Sequence, residues 1–410
     1  MSTVSASSIT SDNTTYNLTK ASAAMYAEIF GKGKYSPADA LFNTLKTCGA
    51  INYEEDLQKE GGDTVKLYNT PRLDMLPSRG DTDRYSNAKE MKYGDRDLKI
   101  ALTSGTINYS MKGTFRQQLV DFNLKDNVPQ MLTQWMKNVH LYSIINQAAG
   151  NTSNSISAPR VYSSGITLSN DQLTLTGNNA AVAPSTRYKA IGSLGAGGVT
   201  TDEGVVSGNK ITMKDILAAR EVIKSVDAGV PTWNCVNRVI MGYHVDAVCI
   251  ISTTGMNQLK NDPVGQGEGI TFAQTNYSLI AGGKAGMDAL TGFVMENILF
   301  IEVPDDFLPR GVHSSTSAPV ANTRRCVLIG ANAVDVAAGK GYEMSDGNYV
   351  PGFSVSIDED YKRLNKVGYA DVAWNGGCKK TQIKGTGDNA STAFDLATFV
   401  FKGANEACII

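Results

Sequence analysis

His140, His244 and His313 are the chain's three histidines, and Cys48, Cys235, Cys249, Cys326, Cys378 and Cys408 its six cysteines. Zinc chemistry would need these residue types at ligand spacing, as a Cys-x-x-Cys pair or a His-Glu-x-x-His helix, and neither pattern is present. His244, Asp246 and Cys249 fall close together, the one grouping that a nucleophilic thiol could use. Nothing around Cys249 resembles a nucleophile motif, and it reads as a core residue of a helix. His140 stands beside Val139 on a helix and reads as a partly buried structural histidine. The glycine run GSLGAGG, Gly192 to Gly198, could cradle phosphate only with a buried strand before it, a Gly-Lys-Ser/Thr after it and a helix opening at once. None of these conditions is met. There is no Gly-x-Ser-x-Gly, and the acidic cluster Asp358 to Tyr361 (DEDY) reads as a solvated edge. The sequence therefore assigns no catalytic residue, no cofactor-binding residue, no metal ligand and no cofactor.

Composition narrows the class further. Forty acids stand against 38 bases, a formal net charge of −2. Avid nucleic-acid binding needs clustered Lys and Arg, and Lys20 is the only base in the first thirty residues. The cysteines are scattered singly, which argues for reduced thiols in a cytoplasmic setting. Residues 1–20 lack the apolar core of a secretory signal, and no apolar run approaches the roughly 20 residues of a membrane span.

With no chemistry to position, the elements themselves become the informative part. FNLKDNVPQMLTQWMKNVHLYSIINQAAG, Phe122 to Gly150, is the longest helical pattern. Val128, Leu132, Trp135, Val139, Tyr142 and Ile145 recur at helical spacing, and Met131, Met136 and Ile144 broaden the stripe. Lys125, Asp126, Gln134 and Lys137 fall on the polar side. Pro129 suits the first turn after a cap at Asn127 or Asp126, and Gly150 suits the residue that ends the helix. The spacing predicts a helix over Pro129 to Ala149, a spine against which one sheet packs.

Two short helices, Leu18 to Phe30 and Pro37 to Cys48, follow a polar arm. From Glu54 to Lys99, 11 acids and 9 bases fall within 46 residues. Strand-like alternation at Thr64 to Tyr68 and Leu98 to Leu102 brackets this stretch, whose centre carries Pro71, Pro77 and Gly80. It reads as a long projecting hairpin with no core of its own, and its mixed charges suit contact with another copy of the same chain. Asn151 to Lys210 is rich in Ser, Thr, Gly and Asn, with a hint of strands at Ile166 to Leu168 and Leu173 to Leu175. From Thr212 the texture is α/β. A helix capped by Thr212 presents Met213, Ile216, Ala219, Ile223 and Val226 and ends near Gly229. Asn237 to Tyr243 reads as a buried strand, with helical pieces after it. Further strands follow at Asn297 to Ile301 and Arg325 to Ile329. Beyond Pro351 come amphipathic strands in PGFSVSIDEDYKRL, KVGYADVAWNGG and AFDLATFVF.

The order of these parts resembles the major capsid proteins of tailed phages with the Hong Kong 97-type fold, and local residues are similar to the N4-like group. The resemblance rests on Phe122 to Gly150, on RRCVLIGANAV (Arg324 to Val334) and on DYKRLNKVGYADVAWNGGCKK (Asp360 to Lys380). It covers roughly Leu41 to Phe401. Ile329 stands between Leu328 and Gly330 as a departure from the family's Leu-Gly-Ala strand, and Asn151 to Lys210 and Gly385 to Ser391 depart in length.

The resemblance implies an α+β fold of six parts. These are an N-terminal arm (1–50), an E-loop hairpin with flanking strands (51–115), a spine helix of a peripheral domain (116–150), the Ser/Thr/Gly/Asn-rich elaboration (151–210), an axial domain (211–345) and returning peripheral strands (346–410). It implies a non-enzymatic, structural protein that assembles as pentamers and hexamers of an icosahedral shell around double-stranded DNA. Portal, scaffolding or decoration proteins would be partners, the host cytoplasm the place of assembly, and no membrane would be involved. An encapsulin-like compartment shell is the nearest alternative and a cytosolic α/β enzyme the more distant one.

Overall fold

The computed structural model describes residues 41, 44–54, 63–69, 94–112, 124–151, 179, 181–183, 188–190, 202–205, 208–224, 235–236, 238–240, 243–260, 292–303, 308–311, 313, 315–316, 320, 323–339, 342–343, 349–350, 353–362, 365–384 and 393–404. The expected polar arm, the helix at Leu18 to Phe30, the glycine run and both strands hinted at near Asn170 lie outside them.

Two sheets and one long helix organise the chain. The first sheet contains β1 (Ile51–Glu54), β4 (Ala101–Lys112), β12 (Val334–Ala338), β15 (Phe353–Lys362) and β16 (Asn365–Lys380). The sixteen-residue β16 is its axis: β4 runs antiparallel along it, while β15 and then β12 pair with its other edge. β1 closes the sheet by pairing parallel to β12. The second sheet has the order β5-β19-β11-β8-β10-β9, where β5 is Tyr188–Ala190, β8 Ala247–Ser252, β9 Gly292–Met295, β10 Ile298–Val303, β11 Thr323–Ile329 and β19 Thr398–Ala404. Every residue of β8 and β11 is buried, which requires cover on both faces of the sheet. Two-stranded ribbons complete the strands: β2 (Thr64–Asn69) with β3 (Gly94–Lys99), β6 (Arg238–Ile240) with β7 (Tyr243–Val245), β13 (Tyr342–Glu343) with β14 (Tyr349–Val350), and β17 (Gln382–Lys384) with β18 (Ala393–Asp395).

Several expectations change in detail. The expected strand Asn237 to Tyr243 is the hairpin β6–β7. Cys249 lies on strand β8, and the helix α3 begins only at Thr253 (Thr253–Lys260). A short, fully apolar run has no period that separates strand from helix, and here pairing with β10 and β11 decided for the strand. Asn297 is a turn residue, sharing with Glu296 the positive φ values (64° and 51°) that reverse the chain between β9 and β10. The run AFDLATFVF divides at Leu396–Ala397, so that β18 pairs locally while β19 joins the second sheet.

The long helix α1 spans Leu124–Ala148, about 37 Å at 1.5 Å per residue. It starts five residues before Pro129, so this proline sits in the second turn and leaves the carbonyl of Lys125 without its amide partner. Its end follows the expectation. Gly150 has φ 60°, its N–H donates to the Gln147 carbonyl at 3.1 Å, and the Asn151 N–H donates to Asn146 at 3.1 Å, the double bond of a Schellman motif. The faces are corrected. Lys137 is buried, Trp135 is half-buried and Met131 is exposed. The helix packs mainly on β16 and β4 of the first sheet and also touches β12, while β11 of the second sheet touches it as well, its Arg325 reaching the helix end.

Helix α2 (Met213–Lys224) buries Ile216, Ala219 and Ile223 as its period requires. The Asp215 carboxylate accepts from the Thr212 N–H (3.1 Å) and hydroxyl (2.6 Å), closing the first turn at the expected cap. One continuous apolar cluster runs from Leu41 and Leu45 through α1 to both sheets.

Candidate functional site at the root of the charged ribbon

The charge-rich stretch forms an antiparallel pairing, Thr64 opposite Lys99 through Asn69 opposite Gly94, but the expected strand Leu98 to Leu102 is divided, β3 ending at Lys99 and β4 beginning at Ala101 in the first sheet. Its apolar side chains at the root, Val65, Leu67, Leu98 and Ile100, meet Ala337 of the first sheet. Polar contacts fix the rest. Arg96 grips Asp335 with two bonds, Nε to Oδ2 at 2.5 Å and Nη2 to Oδ1 at 2.8 Å. Asp335 is buried on β12 and also accepts from Asn52 Nδ2 of β1 (3.2 Å) and the Thr381 hydroxyl (3.0 Å). A bidentate guanidinium holds direction as well as distance. Lys379 Nζ donates to the Asp97 carbonyl at 2.8 Å.

Two further buried cations tie the sheets to other segments, Arg325 the second sheet to the end of the helix and Lys380 the first sheet to the β17–β18 ribbon. Arg325 of β11 donates to the carbonyls of Ala149 (3.0 Å) and Gly150 (2.8 Å) at the end of α1, and to Asp202 Oδ2 at 3.0 Å. Lys380, at the end of β16, donates to Asp395 Oδ2 (2.9 Å) and to the Val182 carbonyl (3.0 Å), while Gln382 holds the other Asp395 oxygen at 2.9 Å. Burial pulls the Lys380 ammonium below the usual lysine range, against the opposing attraction and hydrogen bond of Asp395.

The candidate chemistry residues are placed plainly. His140 is buried and meets Trp374 of β16 edge to face, ring centroids 4.6 Å apart, and burial alone lowers its pKa to about 3. It is more deeply buried than its sequence suggested. His244 Nδ1 lies 3.1 Å from Asp246 Oδ1, and His313 Nδ1 lies 3.1 Å from Glu203 Oε1. Burial, with the Cys326 thiol beside it, pushes the Cys249 thiol well up; burial takes Cys378 to about 12. Both thiols are thereby held in the protonated, unreactive form at neutral pH. Among the described residues no cluster of His, Cys, Asp and Glu could hold a metal ion, and no helix is long and apolar enough to cross a membrane.

Sequence reading passed over Arg96, Asn179, Arg325, Asp335 and Asp395. One signal was available: Arg324 and Arg325 enter an otherwise apolar strand, and a buried guanidinium needs partners. A second lay in the run Gly377-Cys378-Lys379-Lys380, whose two lysines each tie down another segment.

A family model described as phage capsid protein matches residues 10–400. The chain belongs to that family. The match is to the phage capsid protein family as a whole and does not single out the N4-like group. Among solved structures, the chain is similar to the capsid of Ralstonia phage GP4 (TM-score 0.58, 14% identity, 88% of each chain covered) and to the Cyanophage Pam1 capsid (0.55, 16%, 87% of this chain and 88% of that one). It is also similar to the head protein of Helicobacter pylori bacteriophage KHP40 (0.51, 13%, 87% and 89%). At such identities the likeness speaks for the fold, which is the α+β phage capsid fold. No curated protein matches the sequence. The role of this phage capsid protein is structural, and of the readings the sequence allowed it is the capsid one that holds.

Proposed function

We propose that this capsid protein is the repeating subunit of an icosahedral head of an N4-like tailed phage, built from pentamers and hexamers around double-stranded DNA. The ribbon β2–β3 is the E-loop, which reaches over a neighbouring subunit. Helix α1 is the spine of the peripheral domain, and the second sheet belongs to the axial domain at the centre of each pentamer or hexamer. The protein carries out no catalysis. It assembles in the bacterial cytoplasm, with portal, scaffolding or decoration proteins as partners, and encloses DNA without gripping it.

One observation carries this reading. The charged ribbon has almost no apolar core, yet its root is held by the bidentate Arg96–Asp335 pair on a buried carboxylate. A loop that only met solvent would need no such rigid base. Deleting Pro71 to Ser86 tests it: the variant should remain folded and soluble but fail to close into shells under the electron microscope. Normal particles would show that the ribbon makes no contact that assembly needs.

A further inference from the structure

We infer that Asn179 is a positioning residue for assembly: its side chain latches the root of the ribbon to the end of helix α1 and sets the angle at which the ribbon leaves the subunit. The inference rests on the reading that the ribbon engages a neighbouring subunit.

Asn179 Oδ1 accepts from the Lys99 N–H at 2.9 Å, and its Nδ2 donates to the Lys99 carbonyl at 2.6 Å. This pair of bonds copies the exchange between two facing strand residues, so the side-chain amide closes the end of β3 as a one-residue strand would. The Asn179 carbonyl in turn accepts from Gln147 Nε2 at 2.8 Å. Asn179 and Gln147 are 3% and 0% exposed, so bulk water does not compete for these bonds. Gln147 lies in the last turn of α1, the turn fixed by the Schellman bonds and by Arg325. Helix end, Gln147, Asn179 and Lys99 thus form a continuous chain of contacts to the ribbon.

Gly377 of β16 supplies the room. A Cβ there would stand 2.1 Å from the Lys99 oxygen and 2.9 Å from Asn179 Nδ2. Only a residue without a side chain lets β16 pass so close to the latch. The Arg96–Asp335 pair, the Lys379–Asp97 bond and the apolar root all tie the ribbon to the first sheet. The tether at Lys99 adds a tie in another direction, toward the end of the helix, and so fixes the angle between the two. A closed shell repeats one subunit geometry by symmetry, so every copy must present its ribbon alike.

Asn179→Ala removes both bonds to Lys99. Asn179→Asp keeps the acceptor but sets a carboxylate oxygen against the Lys99 carbonyl. In the full-length unassembled subunit, hydrogen exchange of a peptide spanning residues 94–100 should accelerate about tenfold to a hundredfold in both variants, while peptides from β8, β10 and β11 keep their rates. Assembly reactions should yield particles of mixed diameter or open sheets. Unchanged exchange at Lys99, or uniform shells of parental diameter, overturns the latch. Should the Asn179 variants fail to fold, Gln147→Met, which removes only the donor to the Asn179 carbonyl, is read by the same two measurements. If deletion of Pro71 to Ser86 leaves assembly intact, the underlying reading fails. If that deletion blocks closure while the Asn179 variants close normally, only the latch fails.

Discussion

Two buried residues in this molecule, one set by desolvation and one by its partners, show how burial sets behaviour. His140 packs its ring edge against Trp374 between α1 and β16, and its pKa falls to about 3 because the charged form has no water to solvate it. Between about 3 and the ordinary value of 6.5, the folded chain binds fewer protons at this site than the unfolded chain. Stability is therefore lost as pH falls through that window and does not depend on this group above it. From pH 7 to pH 5 the group alone costs about 2 kcal/mol. His140→Phe keeps an aromatic ring and removes the titration, so urea melts should show the variant gaining on the parent by that amount over the same interval. Parallel pH profiles would refute the assignment. Asp335 makes the complementary case. Asp335→Ala strands Arg96 and takes the acceptor from Asn52 and Thr381, and should cost roughly 3–5 kcal/mol in a urea titration of the unassembled subunit. Removing both charges together, as Arg96→Met with Asp335→Leu, should recover much of the loss.

The long helix carries the lesson for elements. Its hydrophobic period locates one buried stripe correctly at Leu132, Val139 and Ile145, but burial extends beyond that stripe and takes in Lys137. Lys137 can be buried because a long apolar stem covers neighbouring surface while its ammonium finds polar company. Met131 and Met136 separate the two sides, at 59% and 0% exposure. Met136→Ala should cost about 2–5 kcal/mol and Met131→Ala less than about 0.5 kcal/mol by urea denaturation of the subunit. A comparable loss from both would mean that the helix is rotated from the arrangement described. Where an assembled shell is measured instead, an added penalty at Met131 would reveal contact with a neighbour.

For the whole molecule, charge balance bears on the proposed enclosure of DNA. A protein that neutralises phosphates shifts the slope of log affinity against log salt by about −0.9 per contact. With 40 acids against 38 bases, and Lys20 the only base in residues 1–30, these residues offer few cations for such contacts. The isolated subunit should bind duplex DNA no more tightly than ~10⁻⁴ M at physiological salt. Fluorescence anisotropy giving a sub-micromolar constant at that salt would contradict a shell that confines DNA without holding it.

Local pattern was enough to place the C-terminal end of α1, the start of α2, the buried strands β10 and β11 and the first strand of the ribbon, because cap chemistry and hydrophobic period act within a few residues. The order of the parts was enough to suggest the capsid fold. The tertiary structure decided what depends on distant partners. Cys249 sits in a strand because β10 and β11 flank it, Lys137 is buried although its position in the period is polar, and β19 leaves β18 to pair with β11. Above all, no local signal joins Asn179 to Lys99, or Arg96 to Asp335, across 80 and 239 residues of sequence. A single polar side chain has no period and its partner is chosen by whichever backbone folding brings within 3 Å, so these ties are written in the packing of the chain.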